Sequence, residues 1–155
     1  MLYQRLYNMV WLASFSFVVT PHLLGKYSAP FHAALGIAML VLPRRNAKEL
    51  AKLAVPDRLK RISQAVVMTT TMLAVVGVLF GALKHIPGMP EVLATTGASI
   101  LGGFHVFIAL AVLAQSSSLA TGYDMWEEKE IGPTPAATPS APSAPPAGTP
   151  PPAAS

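Results

Sequence analysis

The chain contains no cysteine and few charged residues. Charged residues make up 12% of its 155 positions, against about 25% in ordinary soluble proteins. The absence of cysteine excludes disulfide bonds and thiolate metal sites. Scarce charge together with 52% hydrophobic residues predicts an integral membrane protein. The net charge of +4 does not indicate nucleic-acid binding, because the positive residues lie beside apolar segments and are not spread over a soluble face.

Carboxylates are missing from the apolar segments. Outside the C-terminal region the acidic residues are Glu49, Asp57 and Glu91, and each lies in or beside a connecting segment. This pattern argues against a proton relay or an intramembrane protease built on carboxylates. A Ser-His-Asp unit also lacks its acidic member there, and no HExxH or phosphate-binding glycine loop is present. We therefore predict a protein that is not an enzyme.

Four apolar segments approach the length of about 20 residues that a helix needs to cross a bilayer. The second is short, at about 14 residues, because Pro43 followed by two arginines should end it. Residues 46–54 should then form a separate short helix on the membrane surface. Pro56 and Asp57 should open the next helix, which continues to Leu83. The predicted spans are residues 7–24, 29–42, 62–83 and 92–115, and they form two antiparallel hairpins of an all-α integral membrane four-helix bundle.

The basic residues predict the orientation of the bundle. Seven of the eleven Lys and Arg residues lie in the loop 44–61. Because a basic loop resists translocation, this loop marks the cytoplasmic side, whereas Lys26 and Lys84 lie outside. Both termini are then cytoplasmic. We expect a bacterial inner membrane as the location, and the lipid bilayer and other membrane subunits as partners.

The chain divides near residue 126. Residues 1–126 form the predicted transmembrane domain, and residues 127–155 begin with an acidic patch and continue as a tail rich in proline and alanine. Nine of the fifteen prolines lie in the tail, which has no charge and no aromatic residue from position 131 onward. Such a segment buries too little apolar surface to offset its ordering entropy. We predict a disordered spacer.

Small residues predict where the helices pack, because burying a large apolar side chain between helices gains little free energy when the alternative is contact with lipid. Gly77 and Gly81 form a G-x-x-x-G pair in the third span, and Ala98 and Gly102 share one side of the fourth. We predict that these four residues form a close crossing of the third and fourth spans.

Histidines are the ionisable groups within or near the spans, and an ionisable group in a membrane is a candidate for function. Haem b needs two imidazoles on facing helices with small residues beside them. His105 within the fourth span and His32 in the second are the predicted axial ligands. Helical rise places His105 about 15 to 20 Å from the outer end of its span and His32 about 5 Å from its own. Their predicted depths therefore differ.

Two other interpretations of the histidines stay open. His22, His32 and His85 all lie near the outer face and predict a metal site, with Met89 as a further ligand. Imidazole and thioether together suit copper. Alternatively, the histidines form hydrogen bonds across helices or reach interfacial water.

Three short segments resemble known membrane families. Residues 31–40 and 104–113 resemble the histidine-led spans of b-type cytochromes, and residues 16–24 resemble the first span of small four-span families that include copper-resistance-type membrane proteins. No match exceeds about a dozen residues, so no function is transferred.

Three functions fit these patterns. The leading expectation is a non-catalytic multi-pass subunit that packs against a larger membrane complex, such as a respiratory or photosynthetic one, because the spans lack carboxylates and carry small-residue faces. The alternative is a b-type haem-binding electron-transfer subunit. The third is a copper or small-molecule carrier.

Overall fold

A computed structural model of the chain describes residues 2–19, 27–83 and 85–131. These residues form four α-helices and no strand, which confirms the predicted all-α class. The helices are α1 (Leu2–Val19), α2 (Ser28–Lys52), α3 (Asp57–Leu83) and α4 (Glu91–Ile131). The predicted boundaries of α3 are confirmed. Residues 132–155 of the predicted tail and His22 lie outside the described residues, whereas Ile131 is the last residue of α4.

The four helices form a ring in chain order. Each packs against its predecessor and its successor, and α4 closes the ring against α1. Within the described residues, the backbone of α1 does not approach that of α3, and the backbone of α2 does not approach that of α4, so these pairs lie diagonally across the bundle. The contact between α3 and α4 is the most extensive.

The prediction that Pro43 ends the second helix is wrong. Helix α2 continues through Pro43 to Lys52, so most of the predicted surface helix is the last part of α2. Proline removes one hydrogen bond from a helix, but here one buried stripe extends to both sides of it. Packing of this stripe against the core holds the two parts of α2 in one helix. The stripe consists of Met39, Pro43, Asn46 and Leu50.

Helix α4 is longer than the predicted span. It extends beyond residue 115 to Ile131 and includes the acidic patch, giving 41 residues and a length of about 61 Å. The added part packs through buried residues at helical spacing, which are Ser116, Leu119, Ala120 and Tyr123. This packing explains why the helix continues after the apolar sequence ends.

The buried core occupies one half of the bundle, the half that contains the α2–α3 connection at residues 53–56. We call this the inner half and the opposite one the outer half. In α3 the buried residues end at Thr70, and none of residues 71–83 is buried. The core cluster comprises Leu6, Met9, Met39, Leu50, Val55, Leu59, Val66, Val112, Leu119, Ala120 and Tyr123.

The interior is polar in places, whereas the exterior is strongly apolar. Asn46, Ser63, Thr70 and Ser116 are buried, and small polar residues between helices are typical of packing in lipid. Helices α3 and α4 are long and apolar enough to cross a membrane, and only 11% and 6% of their apolar windows are buried. A core helix of a soluble protein would bury those residues. The described parts of α1 and α2 do not meet the same criterion.

Candidate functional site: a histidine pair between diagonal helices

His32 of α2 and His105 of α4 face each other across the bundle. Their ring centroids are 5.9 Å apart and their ring planes are inclined by 54°. Because α2 and α4 are diagonal helices without backbone contact, the two side chains meet between them. His105 is partly buried and His32 is exposed. The structure therefore brings together the two residues predicted as haem ligands.

The prediction that the histidines lie at different depths is wrong, because the starts of α2 and α4 are not level. His105 follows the start of α4 by 14 residues and His32 follows the start of α2 by 4, which corresponds to about 21 Å and 6 Å of helix. Since the rings nevertheless meet, the α3–α4 hairpin extends about 15 Å farther outward than the start of α2. The prediction assumes that the outer ends of all four spans lie at one level.

Gly77 of α3 provides the space for the His105 ring. A β-carbon at position 77 would lie 3.0 Å from Cε1 and 3.3 Å from Nδ1 of His105. That edge of the ring therefore faces the α3 backbone, near the backbone of Leu73, although the buried Nδ1 completes no hydrogen bond. Metal-bound histidines are commonly oriented by a backbone carbonyl next to the nitrogen that does not bind metal. This arrangement leaves Nε2 for a ligand.

The predicted packing residues divide into two groups. Gly77 contacts His105, and a β-carbon on Gly102 would lie 3.6 Å from the Phe80 ring. Ala98 lines a shallow groove beside Phe80 and Gly102. Gly81 is exposed, and no heavy atom lies within 4 Å of its β-carbon position. Gly81 therefore makes no close approach.

Two close approaches were not predicted. A β-carbon on Gly97 would lie 2.9 Å from Cδ2 of Leu83, and one on Gly122 would lie 2.8 Å from Cδ2 of Leu59. Both glycines are on α4 and face α3. Single glycines without a G-x-x-x-G partner gave no signal in the sequence.

His85 does not join the pair. It is exposed in the turn after α3. In the part of the chain that the structure describes, no three His, Cys, Asp or Glu side chains lie close enough to hold a metal ion. His22 of the predicted metal site lies outside that part, and Met89 is half-buried in the same turn as His85.

A short repeat in the sequence places both histidines at equivalent positions of their helices. Segments 31–40 and 104–113 are identical at four of ten positions, including the Phe-His pair, with a constant separation of 73 residues. The buried residues recur at this separation, which aligns Met39 with Val112, Pro43 with Ser116, Asn46 with Leu119 and Leu50 with Tyr123. Each histidine precedes its stripe by seven residues. Because seven residues make about two turns of helix, each histidine lies on the same inward face as its stripe.

Comparison of the chain with protein-family models, curated proteins and solved structures finds no match. The function is therefore inferred from the geometry of this chain alone.

Proposed function

We propose that the protein binds one b-type haem in the membrane and carries electrons, with His32 and His105 as the axial ligands. The observation that supports this proposal is the 5.9 Å separation of the two ring centroids on diagonal helices. A metal–imidazole bond is about 2.0 Å long, so two imidazoles that share one metal have centroids roughly 6 to 6.5 Å apart. The observed separation of 5.9 Å is close to this range.

The number of protein ligands favours haem over a bare metal ion. A structural zinc site takes four protein ligands, and a catalytic one takes three and a water. The described residues offer no group of three. Haem iron receives its equatorial nitrogens from the macrocycle and needs only axial ligands from the protein. Two histidines complete that set.

The neighbouring helix supports the site. Gly77 leaves space for the His105 ring, whose Cε1–Nδ1 edge faces the α3 backbone. When bound, haem supplies one-electron exchange, and its potential depends on the axial ligands, burial and hydrogen bonds around them. The chain's contribution is to position both imidazoles and to exclude water from the inner side with its packed core.

The proposal includes a four-span topology with both termini in the cytoplasm. Its support is the cluster of seven basic residues at the inner end of α2 and the start of α3, because such clusters stay on the cytoplasmic side. Helices α1 and α2 would cross as partners of α3 and α4, against which they pack.

A second candidate function is a subunit that packs against a larger membrane complex. The favouring observation is the outer part of the α3–α4 hairpin, which extends beyond the start of α2 and exposes large apolar side chains. Val78 is 71% exposed and Val92 is 78% exposed. The exposed surfaces of α3 and α4 in this part of the hairpin are available to lipid or to another subunit.

The deciding experiment is a reduced-minus-oxidised visible spectrum of protein purified from membranes in mild detergent. We expect a sharp α band that is lost in His105→Ala and in His32→Ala and is retained in His85→Ala, the matched control. A band that survives both substitutions in the pair would refute the proposal. A colourless protein that purifies with a defined set of membrane polypeptides would favour the second candidate.

A further inference from the structure

The side chain of Arg44 connects α2 to α3 through hydrogen bonds. Its Nη1 donates a hydrogen bond to the carbonyl of Leu40 at 2.5 Å, and its Nη2 donates one to Oγ1 of Thr71 at 2.9 Å. Leu40 lies one turn earlier in α2. The exposed side chain therefore points along the helix toward the outer half and away from the other basic residues.

This direction brings a positive charge into an apolar region. Thr71 follows Arg61, the last charged residue of α3, by ten residues, or about 15 Å of helix. An exposed cation at such a depth is costly, and pairing with a backbone carbonyl, here that of Leu40, or with an anion lowers the cost. In the described parts of the chain the sole ion pair joins Lys52 to Glu49. No carboxylate of these parts pairs with Arg44.

An apolar groove on α3 runs past the guanidinium, from Met68 to Val76. Thr71, which accepts the hydrogen bond from Arg44, is also part of the groove wall. The wall follows one face of α3 over nine positions, or about 12 Å. This shape fits a segment of acyl chain parallel to the helix. The lining residues are Met68, Thr71, Met72, Val75 and Val76.

We infer that this face binds one anionic phospholipid from the cytoplasmic leaflet, with its phosphate at Arg44 and an acyl chain in the groove on α3. A guanidinium binds phosphate oxygens through two parallel hydrogen bonds. The exposed Arg45 and Lys48 add positive charge on α2, which favours a lipid with net negative charge. This inference depends on the membrane placement proposed above and is independent of haem binding.

The test is native mass spectrometry of lipid retained by the full chain after extraction from vesicles of phosphatidylcholine and phosphatidylglycerol. Arg44→Gln should retain about fivefold less phosphatidylglycerol than the unchanged protein. Arg58→Gln removes another exposed arginine, which is remote from the groove, and should change retention little. Val75→Trp keeps every charge but fills the groove, and it should also reduce retention.

Equal losses in Arg44→Gln and Arg58→Gln would overturn the inference in favour of general charge attraction, as would equal retention of the two lipids by the unchanged protein. Helicity by circular dichroism and the haem band are measured on the same samples. A variant that loses lipid but keeps both signals supports the lipid site. Absence of a haem band from the unchanged protein would contradict the proposed function and leave the lipid site unaffected.

Discussion

The imidazole of His105 lies against Gly77, with its Cε1 only 3.0 Å from the position where residue 77 would carry a β-carbon. The ring and the α3 backbone are therefore in direct contact. The identity of residue 77 thus controls the position of the His105 ring.

Enlarging residue 77 should displace this ring. We expect Gly77→Val to abolish the α band, because its branched side chain occupies the space of Cε1 and Nδ1. Gly81→Val is the matched control, since Gly81 lies one turn later in α3 and meets no atom within 4 Å. The measurement is the visible spectrum after purification. Equal behaviour of the two variants would contradict this account of the site.

Replacing one of the two proposed histidine ligands by methionine should raise the redox potential of the haem. His32→Met replaces imidazole with thioether, and methionine ligation raises the potential of haem iron. A spectroelectrochemical titration should give a higher midpoint potential than that of the unchanged protein. His85→Met adds the same side chain away from the pair and should leave the potential unchanged. An unaltered midpoint in His32→Met would remove His32 as a ligand.

The approach of α4 to α3 at Gly122 should tolerate little added volume. A β-carbon there would lie 2.8 Å from Cδ2 of the buried Leu59, and overpacking costs about 1–3 kcal/mol. Gly36→Ala is the control, since Gly36 is a helical glycine with open space around it. Thermal unfolding in detergent should rank Gly122→Ala below Gly36→Ala. Adding Leu59→Val should recover part of the difference, and a purely additive double variant would argue against the contact.

The absence of native cysteine makes the topology directly measurable with single cysteines. We expect Tyr27→Cys and Ile86→Cys to react with a membrane-impermeant maleimide from outside intact cells. Lys48→Cys should react only after the membrane is opened. Reaction of Tyr27→Cys from the same side as Lys48→Cys would show that α1 and α2 do not cross, leaving α3 and α4 as the two spans.

Local signals in the sequence predicted some features of the fold and not others. Pro56 and Asp57 correctly marked the start of α3, which begins at Asp57. Pro43 is an equally strong local signal, yet tertiary burial on both sides of it keeps α2 continuous.

The geometry of the site shows a similar limit. Helical rise gives distances within one helix, but it does not give the offset between helices, so the shared level of His32 and His105 could not be predicted from their distances to the helix starts. In the same way, the G-x-x-x-G pattern selected Gly81, although Gly97 makes the close contact with α3. Such contacts depend on the rotation of one helix against another, which a single helix sequence does not specify.

The level of Gly77 has an electrical consequence. Within the apolar part of α3, Gly77 follows Ile62 by fifteen residues and precedes Leu83 by six, or about 22 Å and 9 Å. An electron that travels from the cytoplasmic surface to a haem at this level crosses about two-thirds of the membrane thickness. The transmembrane voltage acts on that charge with about 1.5 kcal/mol per 100 mV. If the protein binds haem as proposed, electron exchange with the inner side would therefore depend strongly on voltage, and exchange with the outer side only weakly.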